Sequence, residues 1–277
     1  MIADVRLFHH RPSIGSRTAP SVWCFVLAGA ASRRRPLALQ RALDRATRLT
    51  SPQRVVVVAS RESASHCGAT LSETPGVATI VQPAYRGSAA ELFLPAVLVA
   101  GRDPDAVIVA LRADEAHDGP IAPSLSRAVS AVALRPDLTL LVGARPRAMR
   151  LPDGLVEPGS PLPGLEALSL LAVRRFVYEA PRGVAARDLL APTALAARAR
   201  ALVGLGRRYI PDVLETLEPL EDVADASEAT LLCEAVYECM PYASLSREFL
   251  ERVPELAVLP VPDALREVGD AVAHLAS

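Results

Sequence analysis

Five short apolar runs, separated by four stretches of helical periodicity, restrict this chain to few architectures. They are Val22–Leu27, Val55–Ala59, Val77–Val81, Ala106–Leu111 and Leu138–Val142. A strand with one wet face alternates polar and apolar residues, whereas a strand apolar throughout is covered on both faces. Between the runs, Leu37–Leu49 repeats apolar residues at 39, 43, 46 and 49, and helical patterns return near 62–71, 88–100 and 121–134. Strand and helix in regular succession predict the α/β class: a doubly wound, mainly parallel sheet with helices on both sides.

The pattern changes after Arg145. Pro and Gly cluster between 146 and 164, and a longer strand candidate covers Leu168–Tyr178. The rest of the chain reads as a helical C-terminal subregion, with helices near 182–190, 197–207, 211–217, 225–239 and 245–252. A short strand at Leu256–Val261 and a last helix from 264 close the chain. Residues 1–20, broken by Pro12, Gly15 and Pro20, read as a flexible N-terminal arm. There is no internal repeat, so 21–277 is expected to form one domain.

Composition narrows the function classes. The chain has 277 residues and is 51% hydrophobic, but only 4% aromatic, so Ala, Val and Leu must supply the core. Thirty basic residues face 31 acidic ones, which argues against a nucleic-acid binder; those carry a basic excess and stacking aromatics. All thirty are Arg, and Lys and Asn are absent, so no chemistry of this chain uses a lysine ammonium. Cys24, Cys67, Cys233 and Cys239 form no CxxC pair, and the five His complete no zinc pattern. They read as reduced thiols of a cytoplasmic protein. Val22–Ala31, preceded by Arg6, Arg11 and Arg17, imitates a signal peptide, but the preceding segment contains acid and Pro. The same run makes sense as a buried first strand and is too short to span a bilayer, so no membrane partner is expected.

Four places can carry chemistry. The first strand runs into Leu27-Ala28-Gly29-Ala30-Ala31-Ser32-Arg33-Arg34-Arg35-Pro36-Leu37 directly before a helix. Small residues let backbone amides approach an anion, and Arg can fork onto phosphate oxygens. An ordinary strand–helix turn with a solvated Arg cluster would look the same, and the spacing matches neither a Walker loop nor a dinucleotide fingerprint. Asp114 follows the internal run Ala106–Leu111, where a carboxylate lies in the usual ligand crevice and can hold Mg²⁺ against a phosphate; helix capping is the competing account. Glu267 follows another short strand and by itself reads as a surface helix acid. In Gln82-Pro-Ala-Tyr-Arg86-Gly-Ser88, Arg86 and Ser88 can meet a ribose or phosphate at a helix start, or Ser88 can simply cap that helix.

Taken in order, these segments resemble the mannose-1-phosphate guanylyltransferases, within the wider sugar-phosphate nucleotidyltransferases. Leu27-Ala28-Gly29 with Arg33, Pro36 and Leu37 is similar to L-A-G-G-x-G-T-R-L-x-P-L, with one residue missing. Gln82-Pro-Ala-Tyr-Arg86-Gly-Ser-Ala89 is similar to E-P-x-x-R-N-T-A, and Asp103-Pro-Asp-Ala106 with Leu111-Arg-Ala-Asp114 to D-P-D-A and L-P-A-D-H. Phe176-Val-Tyr-Glu179-Ala-Pro181 resembles F-V-E-K-P, and Glu267-Val-Gly269 echoes S-D-V-G-S-W. The resemblance spans roughly residues 22–270.

The resemblance implies a Rossmann-like nucleotidyltransferase fold and a defined reaction. An oxygen of a sugar 1-phosphate attacks the α-phosphorus of GTP or another nucleoside triphosphate, and pyrophosphate leaves. It implies that Leu27, Ala28, Gly29, Ala30 and Arg33 meet the triphosphate, and that Arg86 and Ser88 lie by the nucleoside. Asp114 would ligate Mg²⁺, with Glu267 standing where a second, normally Asp, ligand belongs. Departures accompany the match: Ala30 and Ala31 replace Gly, Ala180 replaces Lys, the P-K-Q segment is missing, Arg150–Gly154 stands for a longer sugar loop, and Ala191-Pro-Thr193 replaces W-N-x-G. A Cβ at 30 crowds the approach of an anion to the backbone. The expectation is a transferase-like protein with catalysis impaired or lost. The alternative is a non-catalytic homologue acting as a nucleotide-binding or regulatory partner of a paralogue or of its own copies.

Overall fold

Alternate residues of each central strand face opposite sides of the sheet, and both sides are dry. In β1 (Val22–Ala28), Phe25 and Leu27 join one buried cluster, while Cys24, Val26 and Ala28 join the other. β2 (Val55–Ser60) divides likewise, with Val56 and Val58 on one side and Val55, Val57 and Ala59 on the other. Burial on two faces is why these segments read as unbroken apolar runs. The computed structural model describes residues 20–29, 36–113, 121–144, 154–178, 190–221, 223 and 226–262. Residues 1–19 of the expected N-terminal arm, residues 182–189 of the helix expected near 182–190, and the last helix lie outside them.

The remaining strands are β3 (Ala78–Gln82), β4 (Val107–Arg112), β5 (Thr139–Ala144), β6 (Leu155–Pro161), β7 (Leu171–Val177), β8 (Ala191–Arg198) and β9 (Leu256–Pro260). They form one nine-stranded sheet in the order β3-β2-β1-β4-β8-β5-β9-β7-β6. β1 is parallel to β2 and β4, β2 to β3, and β5 to β9. β8 is antiparallel to β4 and β5, and β7 is antiparallel to β9 and β6. Carried across the sheet, these senses leave every strand except β7 and β8 pointing the same way. The doubly wound α/β expectation therefore holds, and the carboxyl ends of β1, β4 and β9 open on one edge.

One face carries α1 (Pro36–Leu49), α2 (Arg61–Ser72) and α4 (Ala122–Leu134), through Leu39, Leu43, Cys67, Leu125 and Val132. The other carries α3 (Ser88–Ala100), α5 (Ala199–Tyr209), α6 (Pro211–Leu217), α7 (Ala226–Cys239) and a π-helical turn at Leu245–Leu250. α3 is buried from Ala89 to Val99, as its almost wholly apolar sequence requires. No helix among the described residues is long and apolar enough to cross a membrane. Of the signal-like run Val22–Ala31, residues Val22–Ala28 form β1, at the heart of the parallel ladder.

Three elements differ from the sequence reading. Ala191–Arg198 is a central strand where a helix was expected to begin at 197, and α5 starts at Ala199. Seven of its eight residues are buried between β4 and β5, so small Ala side chains fit although Ala is a poor strand former. Leu155–Pro161 forms β6 at the sheet edge, where its two Pro and one Gly are tolerated. The candidate at Leu168–Tyr178 shortens to Leu171–Val177, because Ser169 takes a left-handed conformation (φ 57°) after the turn at Glu166–Leu168.

Candidate functional site

In the order β3-β2-β1-β4, chain connections leave β1 and β4 in opposite directions, and doubly wound proteins bind ligands in the crevice outside such a switch point. Here β1 ends at Ala28, and Gly29 follows it. The Ala113 N–H donates to the Leu27 carbonyl at 3.0 Å, which carries the β1–β4 pairing one residue past the strand. The chain thus enters Asp114 from a residue hydrogen-bonded to β1. Ser60 and Ser63 form a reciprocal cap at the start of α2, and the Ser63 hydroxyl also donates to the Ala28 carbonyl at 2.8 Å. Both backbone carbonyls before Gly29 are therefore fixed.

A buried polar group lies behind that turn. A Cβ at Gly29 would come within 2.7 Å of Glu91 Oε1, so any larger residue there would have to displace this carboxylate. Glu91 is 5% exposed within apolar α3. Tyr237 of α7 is 1% exposed, and its hydroxyl accepts the Gln82 side-chain amide at 2.7 Å. Burial raises the Tyr237 phenol above its ordinary range; the Gln82 hydrogen bond opposes this, and the negative potential of Cys233 and Glu91 adds to it. Gln82 Oε1 is buried with no hydrogen-bond partner among the described residues. None of Gln82, Glu91 and Tyr237 was singled out as a site residue from sequence. The available signal was one acid in an apolar helix and one amide ending an apolar strand.

The fourth sequence-derived segment, Gln82–Ser88, packs on the stretch 237–245. Arg86 Nε donates to the Tyr237 carbonyl at 3.1 Å, and the Arg86 carbonyl accepts the Ala243 N–H at 3.1 Å. The Ala243 carbonyl accepts the Ala89 N–H at 3.1 Å, and Ser88 Oγ accepts the Leu245 N–H at 2.9 Å. Gly87 has φ 89°, and a Cβ there would overlap the Ala243 carbonyl oxygen. Tyr85 and Tyr242, both exposed, meet edge to face at 6.1 Å.

Leu27, Ala28 and Gly29 thus stand at the switch point, while Arg86 and Ser88 stand at the junction with 237–245. Ala30, Arg33, Asp114 and Glu267 lie outside the described residues, as does Ala180. Thr193, where the resemblance has W-N-x-G, is 2% exposed and donates its hydroxyl to the Val142 carbonyl at 3.0 Å. Among the described residues no three His, Cys, Asp or Glu are grouped to hold a metal. The proposed donors are an Asp and a Glu, oxygen ligands of the kind Mg²⁺ takes. The segments bearing them follow β4 and β9, whose carboxyl ends share the open edge of the sheet.

Topology and the switch-point turn thus define a doubly wound α/β protein with its crevice at the β1–β4 edge. No protein-family model matches the sequence, and no curated protein matches it. Solved structures share the fold. A Thermus thermophilus protein named mannose-1-phosphate geranyltransferase aligns with TM-score 0.68 over 87% of this chain and 74% of that one, at 20% identity. A Helicobacter pylori protein named mannose-6-phosphate isomerase aligns with TM-score 0.66 over 88% and 98%, at 12% identity. At such identities the likeness is one of fold.

Proposed function

We propose that this chain is a nucleotide-binding protein of the sugar-1-phosphate nucleotidyltransferase kind, with transferase activity impaired or lost. One observation carries the reading: the turn at Leu27–Gly29 and the segment entering Asp114 lie side by side at the β1–β4 switch point. The order of motif remnants along the chain and the fold shared with the Thermus thermophilus protein support it.

In this reading Leu27, Ala28, Gly29 and Ala30 form the floor for a triphosphate, and Arg33 supplies the positive charge that a Lys-free chain must take from guanidinium groups. Asp114 and Glu267 would hold Mg²⁺, which when bound neutralises charge on the phosphates. The substrates would be GTP, or another nucleoside triphosphate, and mannose 1-phosphate or a related sugar 1-phosphate.

The second reading is a non-catalytic homologue that binds nucleotide or regulates a paralogue. It is favoured by Ala180 in place of Lys and by the engagement of Arg86 and Ser88 with the protein's own backbone. Release of pyrophosphate from a panel of nucleoside triphosphates and sugar 1-phosphates with Mg²⁺ separates the two. Slow release that disappears in Asp114→Ala identifies a weakened transferase. No release, with triphosphate binding retained, identifies the non-catalytic homologue. Absence of both release and binding rejects the nucleotide reading.

A further inference from the structure

We propose that Gln82–Ser88 is an intramolecular clasp, in which Arg86 and Ser88 hold the stretch 237–245 rather than a ligand. This reassigns two of the residues that the resemblance places by the nucleoside, and it rests on the nucleotide-binding reading only where nucleotide affinity is measured.

A series of hydrogen bonds joins the two segments: Gln82 Nε2 to the Tyr237 hydroxyl, Arg86 Nε to the Tyr237 carbonyl, the Ala243 N–H to the Arg86 carbonyl, the Ala89 N–H to the Ala243 carbonyl, and the Leu245 N–H to Ser88 Oγ. Buried backbone groups need partners, and these bonds meet that need for a stretch that belongs to no strand. An amide at the start of α3, which could otherwise face an anion, is already bonded to the protein's own carbonyl.

Shape agrees. Gly87 takes a backbone conformation that favours glycine, and it lies so near Ala243 that no side chain fits between them. Behind the contact, Phe93 of α3 and Phe249 of the π-helical turn meet edge to face at 5.1 Å, both fully buried. The Ser244 hydroxyl accepts the Arg247 N–H, and Glu248 accepts the Ser244 N–H at 2.6 Å, so the stretch enters its own turn already ordered. Ligand recognition is then left to the β1–β4 edge, while Gln82–Ser88 fixes the C-terminal subregion to the sheet.

The test is amide hydrogen exchange on the full chain without ligand, comparing wild type with Ser88→Ala and Arg86→Ala. Losing one hydrogen bond of this kind opens its amide about 2- to 10-fold more often. The clasp predicts faster exchange of that size at Leu245 in Ser88→Ala and around Tyr237 at the end of α7 in Arg86→Ala, with β1 and β4 unchanged. Wild-type exchange there in both variants overturns it. Ser88→Ala is the mild variant that keeps the test valid if Arg86→Ala does not fold. Binding of GTP, ATP, UTP, CTP and dTTP with Mg²⁺ is measured in parallel. The clasp predicts that Ser88→Ala keeps wild-type affinity for any triphosphate bound; a tenfold loss with unchanged exchange makes Ser88 a ligand contact and overturns it. If wild type binds none of the five, the nucleotide reading falls while the exchange result still decides the clasp.

Discussion

The side-chain amide of Gln82 donates to the hydroxyl of Tyr237 at 2.7 Å, joining the last residue of β3 to α7 across 155 positions of sequence. Both residues are buried, so water cannot replace either partner. Tyr237→Phe is expected to cost about 1–3 kcal/mol, the penalty of leaving a buried donor unmade. Gln82→Met combined with Tyr237→Phe should recover part of that loss, since no orphaned amide remains. Urea unfolding of the two single variants and the double variant measures the coupling; strict additivity would mean that the bond contributes nothing.

The Phe93–Phe249 contact gives a second expectation. Phe249→Ala removes a fully buried ring facing α3 and should destabilise the fold by about 3–5 kcal/mol. A loss below about 1 kcal/mol in equilibrium unfolding would mean that the C-terminal turn is not integral to the core.

Buried thiols contribute to the alkaline limit of stability, together with the buried Tyr237 phenol. Burial pushes Cys24 up to about 12 and Cys233 up to about 11, from an ordinary 9.0, with the Glu234 charge adding to the shift at Cys233. Above pH 9.0 the unfolded chain loses these protons while the folded protein keeps them. The folded state then binds more protons, so stability must fall as pH rises from 9.0 toward 11 and 12. The contribution is fully present below 9.0. Denaturation midpoints at successive pH values should show a decline that flattens in Cys24→Ala; an equal decline in that variant would assign the effect to other groups.

Thiol accessibility is graded as well. Cys239 is exposed, whereas Cys24, Cys67 and Cys233 are buried. An aromatic disulfide reagent should label one thiol rapidly in the native protein and all four in denaturant. Cys239→Ser should remove the rapid phase. A rapid phase that survives would show that one of the three buried thiols becomes exposed in the native protein.

The parallel part of the sheet was legible because its central strands β1, β2 and β4 are buried on both faces. Val55–Ala59 can be little else, and the structure places Val55–Ser60 between β1 and β3. Ala191–Arg198 was not legible, because its Ala content favours a helix and only the narrow space between β4 and β5 makes it a strand. Leu155–Pro161 was hidden by the Pro and Gly that an edge strand tolerates. Of the candidate site, the turn that follows β1 at Leu27–Gly29 was legible as the end of an apolar run. Glu91 behind it and Tyr237 beside Gln82 were not, since contacts 155 positions apart leave no local period.

By itself the sequence determined the class of this protein: apolar runs of strand length alternating with amphipathic helices must stack as a sheet covered on both faces, because no other arrangement removes all of them from water. It also determined the chemistry on offer, guanidinium and carboxylate without lysine or asparagine. Tertiary structure decided which of those groups have work inside the fold. Arg86 and Ser88 look alike in sequence whether they face a nucleotide or a backbone, and only the position of 237–245 supplies the carbonyl and the N–H that they bind. Hydrogen-bonding capacity is local, but the partner that satisfies it is set by packing across the whole chain.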